Sequence, residues 1–87
     1  MRSDDPDELV ERVARNIAAT RRARGLTQDD LAELMGTATK NLQRIEAGQN
    51  LTLRTLARIA VALEVRAAEL MRESAARMSS RAGARKK

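Results

Sequence analysis

Between Gly36 and Gly48 the chain reads GTATKNLQRIEAG. On a helical wheel of that run, Thr39, Lys40, Gln43 and Arg44 share one side, and Leu42 and Ile45 take the other. A hydroxyl, an ammonium, an amide and a guanidinium on one face give and accept hydrogen bonds. They suit the base edges and phosphates of a nucleic acid: a guanidinium forks onto guanine, and an amide pairs with adenine. Exposed Lys and Arg are by themselves usually solvated charges, so the setting of these residues carries the argument.

Other kinds of chemistry find little support. The chain lacks His and Cys, and with them the commonest general base, the commonest metal ligand and any thiolate. It also lacks Phe, Tyr and Trp, the stacking platform of single-strand binders. Glu46 has no second carboxylate arranged with it for acid–base work. The expectation is a non-enzyme with no cofactor, no metal and no small-molecule ligand. Met35 and Met71 read as packing residues.

The formal net charge is +5, and its distribution says more than its sum. Residues 1–11 carry a net −4, residues 12–73 a net +4, and residues 74–87 a net +5. An acidic leader, a basic body and a cationic tail fit an anionic partner. No apolar run approaches the roughly 18 residues that span a bilayer. Nor does the acidic start resemble a secretory signal, so no membrane association and a cytoplasmic location are expected.

The elements that must position the 39–44 face are short helices cut by Gly25, Gly36 and Gly48. A first helix is predicted from Asp5-Pro6-Asp7-Glu8, with Leu9, Val10, Val13, Ala14, Ile17 and Ala18 facing inward and Gly25 ending it. Thr27 caps a second, with Leu31, Ala32, Leu34 and Met35 inward and Gly36 as its stop. A third is predicted from about Ala38 to Ala47, burying Leu42 and Ile45. Thr52 caps a fourth, on which Leu53, Leu56, Ile59, Ala60 and Leu63 form a stripe. A fifth is predicted from Ala67 to about Arg72. The fold class is therefore all-α, a compact five-helix bundle, with the second and third helices at helix-turn-helix spacing. Residues 1–11 are read as the acidic leader and start of the first helix, 12–74 as the folded domain, and 75–87 as a basic, disordered tail.

With these elements in place, the sequence resembles the phage-repressor-like (Cro/C1-type, XRE) helix-turn-helix family, in a lambda-repressor-like fold. The matching residues are Arg24-Gly25-Leu26-Thr27-Gln28, Leu31-Ala32, Gly36, Leu42, Arg44-Ile45-Glu46, Gly48, Leu53 through Leu63, and Glu69-Leu70. Asn50-Leu51-Thr52-Leu53 is further similar to the small controller proteins of restriction–modification systems. The resemblance implies a transcriptional regulator that binds double-stranded DNA. It places Thr39, Lys40 and Arg44 at base-edge positions, flanked by Asn41 and Gln43. Gln28 would touch the DNA backbone and orient a neighbouring base reader, with Thr27 beside it. Asn50, Thr52 and the N–H groups opening the fourth helix would clamp a phosphate, and Arg54 would add a sequence-independent contact. Arg21 and Glu46 match an internal ion pair. Ala38 departs from the usual Ser or Thr cap, Thr37 replaces Val and is the alternative cap, and Leu51 replaces Pro.

Val65, Leu70 and Met71 remain once the core is assigned. Two outcomes are open for them. Either an exposed patch at the fifth helix makes a twofold homodimer on a near-palindromic operator, as in the family it resembles, for a repressor or other regulator, or the same residues complete the monomer core. Two readings compete. One is an antitoxin- or adaptor-type module whose partner is a protein, and the other a non-specific nucleoid-type DNA binder using the cationic tail.

Overall fold

The computed structural model describes residues 5–73. The expected basic tail, and residues 1–4 of the acidic leader, lie outside the described residues. The chain forms α1 (Pro6–Ala23), α2 (Gln28–Met35), α3 (Thr39–Glu46), α4 (Leu53–Leu63) and α5 (Ala67–Leu70). Among the described residues there is no strand, and the architecture is an all-helical bundle of five helices.

Local chemistry explains each boundary. The Asp5 carboxylate accepts the Asp7 N–H at 3.0 Å, with Pro6 in the first turn of α1. Thr27 and Asp30 exchange reciprocal bonds of 3.0 and 2.9 Å, a capping box that opens α2. Gly36 closes α2 at φ +70°, a left-handed conformation that an L side chain adopts only with strain. The Arg58 guanidinium then donates to the Met35 carbonyl at 2.7 Å, satisfying an acceptor at that helix end. Thr52 accepts the Thr55 N–H at 3.0 Å and caps α4.

The core is built from Val13 and Ile17 of α1, Leu31, Ala32 and Met35 of α2, Leu42 and Ile45 of α3, Leu56, Ile59, Ala60 and Leu63 of α4, and Leu70 of α5. Several expectations change. Leu34 is 59% exposed rather than inward. The buried side of α2 is centred on Leu31, Ala32 and Met35, and at ~100° per residue Leu34 falls well to one side. Leu53 is 77% exposed, because it stands on the first turn of α4. There it borders a shallow groove with Leu9, Val10, Leu51 and Met71 instead of lying under another helix. The third helix is one residue shorter at each end than expected, and α5 stops at Leu70 rather than near Arg72.

Leu70 is the largest correction. It is 1% exposed and belongs to the monomer core, so it is not part of a surface patch. Asn16, itself buried, explains why: its amide donates to the Leu70 carbonyl at 2.9 Å and the Arg72 carbonyl at 2.8 Å. That clamp pulls the end of α5 onto α1. Val65 is half-buried, and Met71 remains exposed at the surface.

Candidate nucleic-acid interface

α2 and α3 pack as one unit through Leu31, Ala32, Met35, Leu42 and Ile45. Leu42 and Ile45 are fully buried, which fixes the rotation of α3 and turns Lys40, Gln43 and Arg44 outward. Among the described residues, those three side chains have no hydrogen-bond or ion-pair partner. A rigid helix thus holds an ammonium, an amide and a guanidinium toward solvent with their donors uncommitted.

Glu46 anchors the other side of α3. Its carboxylate accepts Arg21 Nε at 2.7 Å and Arg21 Nη2 at 3.1 Å, a bidentate pair with both side chains almost fully buried. Gln28 Nε2 donates to the same carboxylate at 2.9 Å, and Arg21 Nη1 donates to the Leu26 carbonyl at 2.8 Å. One network therefore joins α1, the turn before α2, the start of α2 and the end of α3. Geometry places Arg21 with Glu46, and adds Gln28 to them.

In this structure the Gln28 amide donates to Glu46 and not to a side chain of the outward face of α3. Thr39 is held by Asp29 instead, whose Oδ1 accepts the Thr39 hydroxyl at 2.6 Å. Asn41 also turns back toward the protein, donating from Nδ2 to the Thr37 hydroxyl at 3.1 Å. Thr37 therefore does not cap α3, which has Ala38 at its N-cap and no side-chain cap bond. Hydrogen bonds from the Thr27 amide N–H, which counts most, and from the Thr27 side chain keep the Asp30 carboxyl below its ordinary value.

Asn50 and Thr52 are exposed on the segment between α3 and α4, and Arg54 is exposed on the first turn of α4. Asn50 adopts φ +55°, a left-handed conformation that Asn tolerates better than most residues. The Thr52 hydroxyl is engaged with Thr55, so its first role is structural. Asp29, Asn16 and Arg58 were absent from the expected site and core. Their bonds run to partners 10, 54 and 23 residues away, and no local spacing announces them.

Among the described residues no group of three or more acidic, His or Cys side chains is placed to hold a metal ion. Among the same residues no helix is long and apolar enough to cross a membrane.

Comparison with known proteins matches residues 17–70 to a helix-turn-helix family model, HTH_3. A hypothetical transcription factor, NHTF, from Neisseria superposes with a TM-score of 0.73 at 26% identity, covering 92% of this chain and 95% of that one. An HTH_3 family transcriptional regulator from Vibrio cholerae gives 0.67 at 31% identity over 72% of this chain, which spans only 36% of that longer protein. The restriction–modification controller protein C.AhdI from Aeromonas hydrophila gives 0.66 at 31% identity, over 70% of this chain and 94% of the controller. No curated protein matches.

Proposed function

Since the chain belongs to the HTH_3 helix-turn-helix family of DNA-binding transcriptional regulators, we propose that it binds a specific double-stranded operator as a homodimer, reading base edges with α3. The observation that carries this reading is the outward face of Lys40, Gln43 and Arg44, uncommitted among the described residues on a helix locked from behind. Arg44 reads a base edge, with Lys40, Gln43 and Thr39 beside it. Asn50, Thr52, Arg54 and the opening of α4 take the phosphate backbone, which supplies salt-dependent affinity without sequence information.

A twofold dimer sets two copies of α3 about 34 Å apart on successive major-groove turns. Its contacts are Val61 of α4, which is 78% exposed, with the half-buried Val65 and the exposed Met71 of the following segment. Leu70, being core, is not among them. A controller role in a restriction–modification system is the finer assignment, supported by the likeness to nearly the whole length of C.AhdI. The protein needs no catalysis for this work, since binding alone blocks or recruits.

Selection of bound duplexes from a random-sequence pool tests the proposal. A recurrent motif with twofold symmetry is the expected result. Binding that is indifferent to sequence points to the nucleoid-type alternative and defeats the operator reading.

A further inference from the structure

Asp29 is the second residue of α2, yet that helix does not need it as a cap. Thr27 and Asp30 already supply both capping bonds. Its carboxylate reaches instead to the first residue of α3, accepting the Thr39 hydroxyl at 2.6 Å. This bond has a consequence for what Thr39 can offer a base. A hydroxyl owns one proton, and once that proton goes to Asp29 only lone pairs remain. An ionised carboxylate is likewise an acceptor alone. The pair thus presents acceptors and no donor at the N-terminal end of α3.

We propose that the Asp29–Thr39 pair makes α3 discriminate amino from keto bases at one operator position. It favours adenine or cytosine on the strand it faces and rejects guanine or thymine. The inference rests on the proposed reading of duplex DNA by α3. In the major groove adenine N6 and cytosine N4 donate, whereas guanine O6 and N7 and thymine O4 accept. A held pair of acceptors meets the first two favourably and the keto oxygens with repulsion, a discrimination made by the mismatched partner as much as by the matched one. A free threonine hydroxyl, able to turn, would serve either kind of base. Asp29 removes that freedom. Because each base pair sets one amino edge against one keto edge, the pair reads which strand carries the amino base. Exchanging A·T for C·G is tolerated, and inverting the pair is not.

The full chain, Asp29→Ala and Thr39→Val are each used to select duplexes from a random pool. Circular dichroism confirms that both variants fold, as expected for an exposed Asp29 and an isosteric Val. The wild-type motif should contain one column per half-site restricted to adenine or cytosine on one strand. A duplex with that pair inverted should bind roughly tenfold more weakly. Asp29→Ala should flatten this column and bring the inverted duplex to near parity. Thr39→Val should weaken the preference without reversing it, because the Asp29 carboxylate still only accepts, and neither should alter the other columns. A column that keeps its preference in Asp29→Ala overturns the inference, as does a wild-type motif whose Thr39-dependent column favours guanine or thymine. A wild-type selection with no recurrent motif defeats the operator reading as well. A recurrent motif indifferent to Asp29 defeats this inference alone.

Discussion

Glu46 is the side chain on which the geometry of the interface converges. It is held by Arg21 and Gln28 with very little solvent contact, so neither charge has an alternative partner in water. Glu46→Ala leaves the Arg21 guanidinium buried without its counter-charge, a loss expected to cost about 3–5 kcal/mol. Urea denaturation measures it, and an unchanged midpoint would refute the structural role given to the pair. The outward side chains should behave differently. Arg44→Ala should cost about 1–3 kcal/mol on the operator and little on random duplex, whereas Arg54→Ala should weaken both alike. Titration against operator and scrambled duplex separates them, and equal losses for Arg44→Ala would remove it from base reading. The Arg21–Glu46 pair was legible because the resemblance supplies both positions. Gln28 on Glu46 and Asp29 on Thr39 were not, because neighbouring residues of one helix turn compete for partners on another. Side-chain rotamers decide that competition, and spacing does not encode them.

Among the helices, α2 shows how boundaries are set by a few atoms. The Thr27–Asp30 box depends on an ionised Asp30, whose carboxyl lies below the ordinary value of 3.8. A carboxyl depressed on folding adds stability that is present above the unfolded value and lost as the pH falls through the folded one. Stability should therefore fall as the medium is acidified below about 3.8, and Asp30→Asn should blunt that part of the acid limb. Acid titrations of both proteins followed by circular dichroism check this, and superimposable acid limbs would contradict it. At the other end, Gly36 sits at φ +70° with open space where a Cβ would stand. Gly36→Ala should thus cost only the backbone term, about 1 kcal/mol, visible as a lower melting temperature. The helix ends were readable because glycine and capping residues act within a turn of themselves. Which side of a short helix is covered was less so. Leu34 and Leu53 satisfy the apolar periodicity, but α2 is covered on only part of its circumference, and α4 begins at the edge of the bundle.

At the scale of the whole molecule, α5 divides two outcomes that the sequence leaves joined. An apolar residue near the end of a small domain either closes the monomer or makes a dimer. Periodicity over the four residues of α5 is too short to choose. The Asn16 amide chooses by holding the Leu70 and Arg72 carbonyls, and Leu70 is drawn inside. Val61, on the exposed side of α4, is left as the strongest candidate for a twofold contact. The two positions should respond differently to the same charge. Leu70→Asp buries a carboxylate in the apolar core, so it should abolish the folded state at any concentration. Val61→Asp places its charge in water in the monomer and across the twofold axis in the dimer. It should therefore keep the helical signal, sediment as a monomer, and bind a palindromic operator more weakly while leaving single half-sites untouched. Dimers of undiminished stability in Val61→Asp would move the interface elsewhere. A wild-type protein that sediments only as a monomer at micromolar concentration would remove the homodimer from the mechanism.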